Sequence, residues 1–352
     1  MCLPETSIAA GSTVLVTGAT GFIASHAVGQ LLARGFKVRG SVRDFHSASW
    51  LLSSHIEEAR SGQLELVTVP DIAVDGAFDE AVKGVSGILH IATSTATGEG
   101  GGFEDDPEVA ITVTVKGMSS IFMSALKEKT IQEFVFTGTI VSALFPLKIF
   151  DTVVGPETWN EAAIEAAYSP PPYEPMHGFQ VYAASKTITE KEFLKLQEEH
   201  KPHFNCNVVS PSGVIGEPRH VKHADPHHNW VRSLYIGDKQ RLDAFPCAYF
   251  VDVKDVALVH VAALLDPSVK GQRLQAWGRS LNWNLFLKEL RELRPQKEWI
   301  EDFTDPGFLA LSTDQSVSEM LLKKWGQKTW APLGQTLAEN LNNPYFKFGV
   351  EQ

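Results

Sequence analysis

Tyr182 and Lys186 stand four residues apart in the run Val181-Tyr182-Ala183-Ala184-Ser185-Lys186, so a helix there carries the phenol and the ammonium on one face. A phenol near its ordinary pKa of about 10 exchanges protons poorly at neutral pH, whereas a fixed cation beside it favours the phenolate and brings acid–base work within reach. A third polar group is expected where Phe134-Val135-Phe136-Thr137-Gly138-Thr139 leaves a strand. Thr139 offers a hydroxyl that could bind a carbonyl oxygen beside Tyr182, with Thr137 and Ser142 as substitutes; the same hydroxyl could instead bond its own backbone.

A second chemical feature lies near the start of the chain, where a short apolar strand runs into Thr17-Gly18-Ala19-Thr20-Gly21-Phe22-Ile23-Ala24. Gly18 and Gly21 allow a tight turn and close approach of backbone amides to a pyrophosphate, and the helix that follows adds positive potential at its N-terminus. Ala24 stands where a third glycine is common and is small enough for helix-on-strand packing. The expected ligand is a dinucleotide. At the end of the second strand an acid would accept the free ribose hydroxyls of NAD, but the sequence is Val38-Arg39-Gly40-Ser41-Val42-Arg43-Asp44. Arg43, with Arg39 assisting, favours the 2′-phosphate of NADPH, while Asp44 is a competing partner for Arg43.

The elements that must position these groups alternate through the first two thirds of the chain, the pattern of a parallel sheet covered on both faces. Strands are expected at Thr13 to Val16, Phe36 to Val42, Leu64 to Val69, Gly87 to Ala92, Phe134 to Thr137 and Asn207 to Ser210. Helices are expected at Phe22 to Arg34, Val109 to Leu126 and Tyr182 to Glu199. The Pro-, Ala- and Glu-rich stretch from Asp151 to Gln180 reads as a loop insertion with one short helix, and Glu217 to Asn229 as a second irregular stretch. Further helices are expected at Asp252 to Leu265, Trp283 to Leu293 and Ser316 to Trp325. The expected fold is thus α/β, a Rossmann-type doubly wound parallel sheet with a smaller C-terminal substrate lobe over the carboxyl ends of the strands. Residues 1–211 form the core with insertion 151–180, and 212–352 mainly the lobe, with 249–265 returning to the core.

The 352 residues, 43% apolar and 21% charged, are ordinary for a folded chain and exceed one core of about 250–300 residues. Lys and Arg number 31 against 42 Asp and Glu, a formal charge of -11 that repels nucleic acid and anionic membranes alike. Cys2, Cys206 and Cys247 are odd in number and far apart, which suggests no disulfide framework and fits a reducing compartment. Met1 to Ser12 lacks a signal-peptide pattern, and the apolar stretch Phe134 to Phe150 is interrupted by Gly138, Pro146 and Lys148. A cytoplasmic monomer or homodimer without membrane or nucleic-acid partners is expected.

His220, His223, His227 and His228 cluster with Asp225 and could bind zinc, but prolines 218 and 226 make an irregular loop without cysteine, so a solvated or substrate-covering loop is favoured and no metal is expected. Trp159, Tyr168, Tyr173, Phe179, Trp230, Tyr235 and Phe245 flank the expected site and suit a hydrophobic or aromatic substrate, though each could equally be lobe core. Lys191 to His200 reads as a solvated helix face.

The runs VLVTGATGFIASH, VRGSVRD, FVFTGTIVSAL and VYAASK, with the helix signal at Asp106 to Met118, resemble the extended short-chain dehydrogenases/reductases. Within them the chain is most similar to the dihydroflavonol-4-reductase-like group and its fungal relatives, the NADPH-dependent aldehyde, ketone and methylglyoxal reductases. The likeness is good from Gly11 to about Gly216 and weaker through Tyr249 to Val256. It implies Tyr182 as general acid in carbonyl reduction, Lys186 holding the nicotinamide ribose, and Thr139 in place of a hydroxyl that is usually serine. It also implies cofactor contacts from Gly18, Thr20, Gly21, Phe22 and Ile23, from Arg43 and Arg39 at the 2′-phosphate, and from Asp71 and Ile72 at the adenine. Ala92, Thr93, Pro211 and Gly213 complete that implied set beside Tyr182 and Lys186. Thr139 and Gly138 depart from the family pattern, and two other functions stay open: a non-redox isomerase, dehydratase or cyclase, and a non-catalytic NADP(H) sensor.

Overall fold

The computed structural model describes residues 4–93, 103–145, 152–224 and 229–347. Its strands are β1 (Thr13–Thr17), β2 (Lys37–Val42), β3 (Leu64–Thr68), β4 (Gly87–His90), β5 (Glu133–Thr137) and β6 (Thr152–Val154). Then come β7 (Asn205–Pro211), β8 (Gly213–Ile215), β9 (Cys247–Asp252), β10 (Arg273–Ala276), β11 (Arg279–Asn282) and β12 (Leu311–Thr313). Seven of them form a parallel sheet in the order β10-β7-β5-β4-β1-β2-β3. The chain order reverses on either side of β1, so a crevice opens at the carboxyl ends of β1 and β4, where sheets of this kind receive ligands.

Both faces of the sheet are covered, which is why β1, β4 and β5 read as short, almost wholly apolar runs. On one face lie α1 (Phe22–Ala33) and, later in the chain, α9 (Val253–Leu265). Nearly every residue of α9 is buried, because α1, the sheet and α11 (Ser316–Lys324) surround it. After β2 come α2 (Phe45–Ser54), which joins the same core through Ala48 and Leu51, and the short α3 (Ile56–Arg60). The other face is covered by α4 (Pro107–Lys127), α5 (Glu161–Ala167) and α6 (His177–His200). Asp106 caps α4 by accepting from the amides of Glu108 and Val109, and Pro107 occupies its first turn. By length and composition α4 could cross a bilayer, yet its Met118, Ile121, Phe122 and Ala125 are packed in the core, the ordinary fate of an apolar helix under a sheet.

The C-terminal lobe packs α7 (Trp230–Ile236), α8 (Lys239–Asp243), α10 (Trp283–Leu293), α12 (Leu333–Asn342) and α13 (Pro344–Lys347) beside a three-stranded sheet of order β11-β9-β8. Trp283, Phe286 and Leu290 repeat on one side of α10 and fill that lobe's core with Phe250 and Leu337.

Three features lie outside the sequence expectation. The parallel sheet runs past residue 211, because Arg273–Ala276 pairs with Val208–Pro211 as its edge strand. Of the 249–265 segment, only the helix lies under the main sheet; the strand before it joins the lobe's small sheet. The insertion supplies α5 as expected but also β6, which pairs in parallel with β12.

The edge strand is fastened by a buried ion pair. Arg273 Nε donates to Glu190 Oε1 at 2.6 Å, with side-chain exposures of 6% and 0%, and Arg273 Nη1 also donates to the carbonyls of Pro156 and Thr158. Its guanidinium lies 4.2 Å from the Trp159 ring, so that tryptophan buttresses the insertion rather than a substrate site. Gly138, just past β5, leaves room for the carboxylate: a β-carbon there would come within 2.7 Å of Glu190 Oε2 and 3.0 Å of Val208 Cγ1. Arg273→Met should cost about 3–5 kcal/mol in urea unfolding by stranding the Glu190 charge, and the Glu190→Met/Arg273→Met double variant should recover most of it. Gly138→Ala should cost about 1–3 kcal/mol in the same assay, because a pinned carboxylate cannot retreat from the new methyl.

Candidate active site

Tyr182 and Lys186 lie in the first half of α6 on the face turned to the sheet, so the helical spacing puts phenol and ammonium side by side at the carboxyl ends of β4 and β5. The Thr139 hydroxyl is near enough to the Tyr182 phenol to favour its ionised form. Thr139 also caps a 3-10 turn, Ile140–Ser142, but accepts from the Val141 amide only at 3.5 Å, a weak bond that leaves the hydroxyl largely available. The two substitutes stand elsewhere: Thr137 bonds His260 Nε2 at 2.9 Å, and Ser142 Oγ is buried without a partner.

Lys186 is 3% exposed, its Nζ donating to Thr93 Oγ1 at 3.0 Å and lying 5.8 Å from the Phe136 ring centre. Burial pulls its pKa down to about 8, against the opposing pull of the Glu190 carboxylate one turn further along α6. Burial also pushes the Tyr182 phenol up to about 12, with only partial relief from the Thr139 hydroxyl. This corrects the expectation of a lysine-stabilised phenolate: desolvation outweighs the cation, and the tyrosine stands protonated at neutral pH.

A cleft of about 780 Å³ spans the switch point and comes up to this pair at Thr93, the residue that Lys186 bonds. Its wall includes Gly18, Thr20, Gly21, Phe22 and Ile23 from the turn into α1, Arg43 after β2, Asp71 and Ile72 after β3, and Ala92 and Thr93 after β4. Gly18 holds φ +61 and a β-carbon there would come within 3.1 Å of Ala92, so the turn requires glycine on both counts. No side chain caps α1, whose first amides face the cleft and remain free for an anion. Thr17 ties the two sides together: its Oγ1 accepts from the amides of Ile91 and Ala92 and bonds His90 Nδ1 at 3.0 Å. Burial drives the His90 pKa down to about 3, which keeps that ring neutral.

Arg43 is exposed on the cleft wall. Asp44, the expected competitor, instead caps α2 by accepting from the Ser47 amide at 2.8 Å. Arg39 is turned away from the cleft: its Nε pairs with Glu65 at 2.5 Å and its Nη1 donates to the carbonyls of Ala81 and Lys83. Arg39 stands earlier on β2, directly across from Glu65 in the β2–β3 register, and is engaged there before the strand reaches the cleft. Pro211 and Gly213 also lie off the cleft wall, to which their neighbour Val214 contributes. Residues with no sequence signal join it too, among them Ser41, Ser47, Val69, Pro70, Ile91 and Lys222.

The described histidines of the His-rich loop have partners away from the phenol. His223 Nε2 donates to the Thr20 carbonyl at 2.9 Å and His220 stacks on Trp50 at 4.9 Å, while Asp225, His227 and His228 lie outside the described residues. Of the aromatic candidates, Phe179 lies 6.0 Å from the Tyr182 ring and continues through Phe245 to Trp230. Tyr173 stacks on His177, Tyr168 is exposed, and Tyr235 packs on Trp299 and Phe346 within the lobe. Phe103, which the sequence did not single out, stacks on Tyr182 at 4.8 Å and leaves beside it a hollow of only about 10 Å³.

Residues 14–275 match the model of the NAD dependent epimerase/dehydratase family. The chain is 33% identical over 346 residues to the NAD-dependent epimerase/dehydratase terH of Aspergillus terreus, covering 98% of this chain and 100% of that one. It is 33% identical over 344 residues to aldehyde reductase 2 of Sporidiobolus salmonicolor, covering 96% of each. Among solved structures, yeast methylglyoxal/isovaleraldehyde reductase Gre2 complexed with NADPH has the same fold, with a TM-score of 0.77 at 23% identity over 96% of this chain and 98% of that one. With the glycine turn, the switch-point cleft and the Tyr182–Lys186 helix in place, the chain belongs to the NAD dependent epimerase/dehydratase family.

Proposed function

We propose that the protein is an NADPH-dependent reductase of a hydrophobic or aromatic ketone or aldehyde. The observation that carries this reading is the Thr139 hydroxyl beside the Tyr182 phenol, with the Lys186 ammonium one turn away and fastened to Thr93 on the cleft wall. The cleft residues fit the dinucleotide: an uncapped helix start faces its phosphates, and an exposed arginine rather than an acid follows β2. Relatives such as aldehyde reductase 2 support the same chemistry.

NADPH supplies a hydride to the carbonyl carbon when bound. Tyr182, held as a phenol, donates its proton to the carbonyl oxygen, and Thr139 holds that oxygen through its hydroxyl. Lys186 holds positive charge beside the phenol and so stabilises the phenolate left after transfer. Phe103 and Phe179 around Tyr182 give the substrate side an aromatic lining. The two buried thiols, Cys206 and Cys247, are unpaired, in keeping with a cytosolic enzyme working on a diffusible small molecule as a monomer or homodimer.

Tyr182→Phe should lower turnover of an aromatic ketone or aldehyde about a hundredfold or more, read as loss of the near-ultraviolet absorbance of NADPH. Near-normal turnover in that variant removes Tyr182 as the acid, and conversion of substrate without NADPH consumption moves the reading to isomerisation, dehydration or cyclisation. The pH dependence has a defined sign. Lys186 is charged below about 8 and loses its proton as pH rises through that value, whereas the phenol stays protonated to about 12. The free-enzyme kcat/KM should therefore fall through about pH 8, and a profile flat to pH ~10 would take the lysine out of the step.

A further inference from the structure

We propose that Lys222, carried by the turn Val221–Ala224 of the C-terminal lobe, is a second cation for the 2′-phosphate, on the cleft wall it shares with Arg43; this rests on the NADPH reading above. The charge balance at that end of the cleft calls for one. A 2′-phosphate brings close to two negative charges, and Asp44 stands beside Arg43 with a third. The helix after them, Phe-His-Ser-Ala-Ser-Trp-Leu-Leu-Ser-Ser, contains neither lysine nor arginine, so α2 adds no fixed cation. Lys222 lines the same cleft, is exposed, and forms no ion pair among the described residues.

Its position is fixed by bonds on both sides of the turn. His223 Nε2 donates to the Thr20 carbonyl at 2.9 Å while its Nδ1 accepts from the Arg219 amide at 3.2 Å, which sets one neutral tautomer. His220 stacks on Trp50 at 4.9 Å and 20°, and Trp50 lies one helical turn beyond Ser47, the α2 residue on the cleft wall. The turn is thereby seated on α2 as well as on the glycine turn. From behind, His26 Nε2 donates to the Glu217 carbonyl at 2.9 Å, and Asn343 Nδ2 donates to the Pro218 carbonyl at 2.9 Å. The backbone that carries Lys222 is therefore already ordered before an anion arrives, and only the side chain is left to settle.

Calorimetric titration of the full chain with 2′,5′-ADP and with 5′-AMP isolates the 2′-phosphate without any turnover. The wild type should bind 2′,5′-ADP more tightly than 5′-AMP, and Arg43→Ala should erase much of that preference; absence of the preference overturns the NADPH reading itself. With that preference present, Lys222→Gln should weaken 2′,5′-ADP about tenfold and 5′-AMP less than about twofold, while Lys222→Arg keeps wild-type affinity. Unchanged 2′,5′-ADP binding in Lys222→Gln, or an equal loss for 5′-AMP, overturns the assignment of Lys222 to the 2′-phosphate and leaves the NADPH reading standing. Melting temperatures of all three variants check that the fold is retained.

Discussion

A lysine ammonium buried to 3% exposure is the constraint around which the site is organised. Such a charge is costly unless countercharge and hydrogen bonds accompany it. Thr93 provides the bond, and Glu190 provides the countercharge one turn along α6. Glu190 is itself fully buried and is matched by Arg273, so three charges of alternating sign run from the catalytic helix to the edge of the sheet. That chain of charges gives physical meaning to β10, whose first residue is the terminal arginine, and to Gly138, whose missing side chain makes space for the carboxylate. The net charge of the three is positive, with the lysine at the end that meets the cleft wall through Thr93.

At the opposite end of the cleft the constraint is an anion rather than a cation. The uncapped start of α1, the left-handed Gly18 and the contact of Gly18 with Ala92 leave backbone amides as the lining. Thr17 holds this geometry by accepting two amides from the β4 side, which locks the spacing of the two strands that flank the crevice. The lobe then leans on that same turn through His223, so the part of the chain that covers the crevice is registered to the phosphate turn by a direct hydrogen bond. Burial keeps His223 neutral, with a pKa lowered to about 4, and the contact persists across the physiological range.

Much of this was legible before any coordinates. The glycine turn, the arginine after β2 and the Tyr182–Lys186 spacing are local patterns, and local patterns carry their own geometry. What escaped was set by distant contacts. Arg273-Leu274-Gln275-Ala276 has no strand signal of its own and becomes a strand only because β7 offers it a partner. Lys222 sits in an irregular stretch and reaches the cleft only because His220 and His223 find Trp50 and Thr20. Arg39 had the right charge near the right strand end, but Glu65 and two carbonyls on the far side claim it. Phe103 had no signal, since its meaning depends entirely on the ring of Tyr182 across from it.

The same desolvation moves Tyr182 and Lys186 in opposite senses, the phenol up to about 12 and the ammonium down to about 8, because burial penalises whichever form carries charge. The consequence is directional. Reduction begins with a neutral phenol and makes an alkoxide that is a far stronger base than a phenolate, so the proton moves downhill even from a weakened acid. Oxidation of an alcohol must begin from the phenolate, and raising the phenol from 10 to about 12 makes that species about a hundredfold scarcer at neutral pH, roughly 3 kcal/mol. A site that burial has tuned this way, with the Thr139 hydroxyl recovering part of the loss, is set up for proton donation, which is the half of the chemistry that carbonyl reduction requires.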